Sequence, residues 1–474
     1  MPLAPRFGGL WSRVRSVLLK KTRTILLAAL LTLIPASTLN GAVPYLPRCA
    51  ADPGPAAGWG VLWFPRDTRF AVAAGRELLA RPDYPAALCY LRMAEESNGR
   101  DPQYLIDLGN AYWGSGERGA ALGVWEEALA LGANPDDDTL ARMWKGYFET
   151  EAWESAEEAI ARFLARRPDD TEARYALALI RAAVNPGSAL DLLSDLKTEA
   201  PPIGDNAQSL GAVIRAAVAR RVPEYIFAST GEELIRIGEA ALAKEALRRA
   251  IERNPNYGEA YALLGAAQEA TGEDPEEAYR KGVALAPDSA LACLVYGAWL
   301  RREKEYALAR WWLMQAWRER RGDWTIAAEL ANVDFLLGNL GDAEEWVLQA
   351  VAAHPNDADA WIVLAAFYIE NDFRVEESGI PAARQAVLLA PKDDRALDIF
   401  GLGWYKMGDF SLAERFFIRA LEQNPNSAGA HLHLGMTYRE QGRTAEAKTE
   451  WETALRLDSG GTTGRRAAEL LERA

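Results

Sequence analysis

Histidines, cysteines and clustered carboxylates are the side chains that could do chemistry in this 474-residue chain, and their spacing argues against it. There are three histidines. His431 and His433 stand two residues apart, roughly 200° around a helix, so they cannot face one ligand. His354 precedes Pro355 in a turn. Cys49, Cys89 and Cys293 are widely separated and form neither a metal-ligand pattern nor a disulfide framework. Their odd number leaves at least one thiol without a partner in the chain. No HExxH, phosphate-loop glycine pattern or nucleophile elbow is present. The acidic clusters at Asp136–Asp138 and Asp393–Asp394 fall at helix starts, where capping and the helix dipole account for them. No catalytic residue, cofactor or metal site is therefore expected.

The elements that would position any binding residue come from a two-helix unit that recurs every 34 residues. From Asp394 the chain reads DRALDIFGLGWYKMGDFSLAERFFIRALEQNPN, and from Ala428 it reads AGAHLHLGMTYREQGRTAEAKTEWETALRLDSG. Gly401, Trp404, Gly408, Ala413, Phe417 and Ala420 in the first copy match Gly435, Tyr438, Gly442, Ala447, Trp451 and Ala454 in the second. Small residues sit where helix axes approach, and large ones fill the gaps beside them. The same marks return at Gly338, Ala343 and Val347, at Gly297, Ala309 and Leu313, at Gly231, Ala243 and Leu247, and at Gly109, Ala121 and Trp125. Gly75 and Leu91 carry a weaker copy, and the copies from Asp137, Thr171, Gly258 and Ala358 are degenerate or slip by a residue or two. His431 takes the large-residue position that Trp361 fills upstream and reads as a packing residue.

This pattern resembles the tetratricopeptide repeat. The resemblance implies an all-α fold, a right-handed superhelical solenoid of about eleven helix-turn-helix repeats. It also implies a binding face lined by the second, fifth, sixth, ninth and twelfth residues of each repeat. The carboxylate clamp of chaperone-binding members is absent: Asn110 matches one position, but Ile106 stands where a cation is needed. The face from residue 324 onward reads instead as an apolar strip. Phe335, Ile362, Ala366, Ile369, Leu402, Tyr405, Leu432 and Met436 are the expected groove, and a hydrophobic or amphipathic segment of a protein partner is the expected occupant. A tight superhelix that closes the strip against itself is the alternative.

A second surface is expected in the run ALARWWLMQAWRERRGDW, Ala307–Trp324. Leu313 and Ala316 take its packing positions, which leaves Trp311, Trp312 and Trp317 beside Arg310 and Arg318. Trp with Arg is the usual composition of interface anchors. Burial under a neighbouring turn, with arginine stems over the rings, competes with that reading.

Charge divides the chain unevenly. The first 48 residues hold seven Lys or Arg and no acid, which leaves 46 basic against 67 acidic side chains beyond them. So acidic a repeat region argues against nucleic-acid binding. Residues 1–23 form a basic segment, and residues 24–46 an uncharged apolar stretch that reads as a signal anchor or transmembrane helix. A cleaved signal peptide and a presequence are the competing readings. An anchor with this flank implies a single-pass protein, its N-terminus cytoplasmic and its repeats extracytoplasmic; cleavage would imply a secreted or periplasmic one. Residues 47–67 form a Pro/Gly-rich linker in which Trp59, Trp63 and Phe64 cover the first repeat or lie at the membrane interface.

The remaining boundaries follow from breaks in the period. An N-terminal array spans 68–204, an extra unpaired helix 205–222, a C-terminal array 224–461 and a capping helix 462–474. The extra helix places Leu210, Val213, Ile214, Ala217 and Val218 on one face. The expected function is a non-catalytic interaction scaffold holding a partner protein in envelope assembly or export. An obligate structural subunit of a larger membrane-associated complex is the alternative.

Overall fold

The computed structural model describes residues 68–95, 101–458 and 460–473. Among them it holds α-helices, one short π-helical turn and no strand. Two compact units divide the chain, residues 1–173 and 174–474.

The first unit contains three helix hairpins. They are α1 (Thr68–Leu79) with α2 (Tyr84–Arg92), α3 (Pro102–Gly114) with α4 (Arg118–Ala130), and α5 (Asp137–Glu149) with α6 (Trp153–Leu164). Aspartates start the helices as the sequence expects. Asp83, Asp101 and Asp136 accept from the backbone N–H groups of Ala86, Gln103 and Thr139, which satisfies donors that a helix start leaves open. Trp125 is fully buried inside its hairpin, its indole N–H donating to the Ile106 carbonyl at 3.4 Å.

The second unit opens within α7 (Thr171–Val184), which pairs with α8 (Pro186–Leu196). A single helix, α9 (Ile203–Ala219), follows. Its buried face is Ala207, Leu210, Ile214 and Ala217, whereas Val218 is exposed. Hairpins then resume: α10 (Pro223–Arg236) with α11 (Ala240–Arg253), α12 (Gly258–Ala270) with α13 (Glu276–Leu285), and α14 (Ala290–Arg302) with α15 (Tyr306–Glu319). Next come α16 (Trp324–Leu336) with α17 (Leu340–Ala353) and α18 (Ala358–Glu370) with α19 (Ile380–Leu389). The last two are α20 (Asp394–Lys406) with α21 (Phe410–Gln423) and α22 (Ala428–Glu440) with α23 (Thr444–Leu457). The final helix, α24 (Thr462–Glu472), buries Ala467 and Leu470. Eleven hairpins thus stand among the described residues, in agreement with the count read from the period.

Packing explains the period. A Cβ at Gly401 would lie 2.7 Å from Phe417, and one at Gly435 2.5 Å from Trp451. The eighth residue of a repeat must be small because the ring of the twenty-fourth occupies its space. The copy from Ala358 runs two residues past the period before the next begins at Asp394. A π-helical turn at Val375–Gly379 takes up the excess ahead of α19.

The expected basic segment, anchor and linker, residues 1–23, 24–46 and 47–67 with Trp59, Trp63 and Phe64, lie outside the described residues. Among the described residues no helix is long and apolar enough to cross a membrane. The longest, α9, has 17 residues, short of the roughly 20 apolar ones that a span requires. The single-pass placement expected from the sequence is corrected on that finding. A second correction concerns sulfur. Cys89 is disulfide-bonded, although the cysteine spacing gave no sign of a disulfide. Cys293 is free and buried, and burial pushes its thiol up to about 11.

Candidate functional site

The expected groove residues all lie on the first helices of successive hairpins, but they are not an exposed strip. Ile369 is fully buried, and Leu402 and Leu432 are 6% and 7% exposed. All three belong to the core of the second unit. Phe335, Ile362, Ala366, Tyr405 and Met436 are half-buried. The cause is local. A Cβ at Gly403 would come within 2.7 Å of Ile380 and 3.1 Å of Ile369, and one at Gly379 within 2.9 Å of Ile369. Two glycines around the π-helical turn let Ile369 drop between hairpins, so the twelfth position of that repeat points into the core. Phe335 packs edge-on to Phe367 at 6.2 Å, and Tyr405 lies 5.5 Å from Phe410. Burial as core therefore replaces surface apolarity at Ile369, Leu402 and Leu432.

What the face does expose is charge. His433 Nδ1 lies 2.9 and 3.1 Å from the two carboxylate oxygens of Asp398, 35 residues upstream. Burial opposes the imidazolium, but Asp398 and then Glu370 outweigh it and hold His433 above its ordinary value. Glu370 is exposed and, among the described residues, makes no hydrogen bond or ion pair. Enclosure by the surrounding helices, with Asp398 nearby, raises its carboxyl against the pull of His433 and Lys406. Lys406 itself pairs with Asp372 at 2.7 Å, and Arg395 with Asp359 at 2.6 Å. Farther up the unit Arg302 grips Glu269 through two 2.7 Å bonds, and Arg301 holds Glu329 at 2.7 Å. The arginine pairs tie the first helix of one hairpin to that of the next, and Lys406 reaches back to the turn that follows α18.

Sequence reasoning passed over Asp398, Glu370 and Lys406. Asp398 occupies a fifth position, where the positional rule alone could have found it. Glu370 and Lys406 occupy thirteenth positions, outside that rule. His431 stands where the repeat places it. Its Nε2 meets the Pro425 carbonyl at 3.0 Å, as the Trp361 indole N–H meets that of Pro355 at 2.8 Å. Its Nδ1 meets Glu450 at 2.6 Å. Burial disfavours the charged ring, yet the Glu450 bond outweighs burial and raises its pKa.

The second expected surface divides in the same way. Arg310 donates from Nε to Asp334 at 2.7 Å and reaches Asp342 at 3.1 Å. Asp334 is fully buried and also accepts from Asn339 at 3.0 Å and from the Trp346 indole at 2.8 Å. Trp317 is buried and packs edge-on to Trp346 at 5.6 Å. Arg310 and Trp317 are thus joints between α15 and the next hairpin. Trp312 is half-buried against Tyr296. Arg318 and Trp311 remain exposed, Trp311 at 52% and edge-on to Trp312 at 4.5 Å. Among the described residues no group of three or more His, Cys, Asp or Glu side chains could hold a metal.

Residues 230–290 and 402–462 match the tetratricopeptide-repeat family model. No curated protein matches the chain. Among solved structures, yeast Tom70 is similar at 15% identity and a TM-score of 0.44, over 86% of this chain and 96% of that one. Cut9–Hcn1 of the APC/C hetero-tetramer is similar at 14% identity and 0.42, over 88% and 91%. YrrB, described as a TPR protein with an unusual peptide-binding site, is similar at 19% identity and 0.26, over 40% and 97%. The described residues are thus a succession of α-helical hairpins in which residues 230–290 and 402–462 carry tetratricopeptide repeats, the kind of repeat that generally mediates protein–protein interaction.

Proposed function

We propose that the chain is a non-catalytic interaction scaffold, and that the first-helix face around α18, α20 and α22 receives a segment of a partner protein. The observation that carries this reading is Glu370, an exposed carboxylate at the end of α18 that makes no hydrogen bond or ion pair among the described residues. Half-buried Ile362, Ala366, Tyr405 and Met436 lie on the same three helices. An exposed carboxylate beside apolar side chains can meet a cation carried by a partner. The occupant is an amphipathic segment whose apolar side meets those residues and whose Lys or Arg meets Glu370.

Fluorescence polarisation tests this with two Leu-rich amphipathic peptide pools identical except for Lys or Glu at one central position. The Lys pool is expected to bind at least tenfold tighter, and Glu370→Lys to reverse the preference. Equal affinities, or binding unaffected by Glu370→Lys, would refute the reading. Exposed Leu308 and Trp311 on α15 favour a second one, a permanent interface of a larger assembly. Light scattering after size exclusion separates the two. A scaffold stays monodisperse alone, whereas a subunit lacking its partner self-associates.

A further inference from the structure

Two adjacent repeats depart from the period at positions that meet in one hollow. The thirty-second position is proline at Pro255, Pro355 and Pro425, but Arg321 stands there after α15. The twenty-ninth and thirtieth positions carry long side chains at Glu252 and Arg253 in α11 and at Glu422 and Gln423 in α21. At the end of α17 they are Ala352 and Ala353. The hollow between these departures has a volume of about 500 Å³. Trp317 and Trp346 line it, packed edge-on at 5.6 Å. The Trp346 ring is held in place by its indole N–H, which donates to buried Asp334 at 2.8 Å. Arg318 and Arg321 line the α15 side, and both are exposed. Arg318 donates to the Gln315 amide oxygen at 2.9 Å. Among the described residues neither arginine pairs with a carboxylate. Elsewhere in the same unit Arg301, Arg302, Arg310 and Arg395 each hold one. Glu345, one turn from the hollow on α17, is taken by the Gln349 amide at 2.9 Å.

We propose that this hollow on the second helices α15 and α17 binds an acidic peptide segment of a partner protein, with an aromatic side chain seated on Trp317 and Trp346 and a neighbouring carboxylate held by Arg318 and Arg321. Charge complementarity selects the occupant. In a chain of net charge −14, two arginines without an internal carboxylate are fitted to one supplied from outside. Guanidinium groups match a carboxylate with paired N–H donors, and they do so best beside a surface that excludes water. The two indoles supply that surface, and a ring seated edge-on against them is favoured by their quadrupoles. Truncation to Ala352 and Ala353 leaves the room. Trp and Arg about a concave centre are the usual anchors of such a contact. The site takes the opposite charge from the one proposed at Glu370 and lies on different helices, so it goes beyond that reading, and each can fail without the other.

Fluorescence polarisation on the full chain tests it with three labelled peptide pools. One carries Phe flanked by Glu, the second has Gln in place of Glu, and the third has Ser in place of Phe. The Glu–Phe pool is expected to bind about tenfold tighter than either of the others. Arg318→Gln together with Arg321→Gln is expected to remove the preference for Glu over Gln. Ala352→Glu restores the residue that α11 and α21 carry at that position, and it is expected to weaken the Glu–Phe pool about tenfold by occupying the arginines. All three positions are exposed, and an unchanged urea midpoint confirms that each variant is folded. Equal affinity for the Glu and Gln pools, or a preference that survives the double arginine variant, would overturn the proposal. Sedimentation velocity showing a dimer that Ala352→Glu abolishes would also overturn it, by placing a second copy of the chain in the hollow.

Discussion

Asp334 shows how one buried carboxylate can be held charged. Burial alone would raise its pKa, but bonds from Arg310, Asn339 and Trp346 outweigh burial and place it below the usual carboxylate range. The folded value lies below the unfolded one, so the stabilisation is complete above the ordinary value of 3.8 and fades as pH falls through the folded one. Asp334→Ala leaves Arg310 and two further donors unmet and is expected to cost about 3 kcal/mol in urea unfolding of the second unit. His433 has the opposite sign. Its folded pKa is raised, so the pairing with Asp398 stabilises fully below the ordinary value of 6.5 and is lost as pH rises through the folded value. The charged groups that face it are Asp398, Glu370 and Lys406. Melting temperatures recorded from pH 6 upward are expected to fall for wild type and to fall less in His433→Leu, where His431 with Glu450 keeps its own share.

At the scale of the element, the turn inside most hairpins has a fixed demand. Its residue at position fifteen adopts positive φ, +80° at Gly408 and +65° at Lys304, the turn of α7 and α8 with Asn185 at −149° being an exception. A side chain in that region is strained by about 1 kcal/mol, and glycine is not. Lys304→Gly is therefore expected to stabilise its hairpin by about 0.5–1 kcal/mol, read from the urea midpoint at constant slope. Among the described residues Lys304 makes no ion pair whose loss would offset the gain. Gly401→Ala should do the reverse, because its new methyl meets the Phe417 ring. A loss of about 1–3 kcal/mol is expected there, from overpacking.

At the scale of the whole chain, a solenoid is stabilised by neighbours only, so damage stays local. Replacing Ile369 and Leu402 with Glu places two unpaired charges in the core of the second unit. Hydrogen exchange is expected to lose protection mainly over residues 358–423, while residues 223–285 retain most of theirs. A double variant that kept full protection over 358–423 would show those side chains to be surface residues.

The sequence alone determined the hairpin, its period and the number of copies. Those features depend on contacts within one repeat, between Gly401 and Phe417 or Gly435 and Trp451, and such contacts recur at fixed spacing. It also placed His431 correctly, because Trp361 shows the same slot with a larger ring. Only the tertiary structure decided which first-helix residues face solvent. Ile369 shares its repeat position with Tyr405, yet the π-helical turn at Val375–Gly379 and the absence of a side chain at Gly403 draw it into the core. Arg310 and Trp317 likewise read as interface anchors until Asp334 and Trp346 of the next hairpin are set against them. Periodicity reports what a repeat does to itself, whereas burial depends on the neighbouring repeat, whose departures from the period carry no signal in the residue they bury.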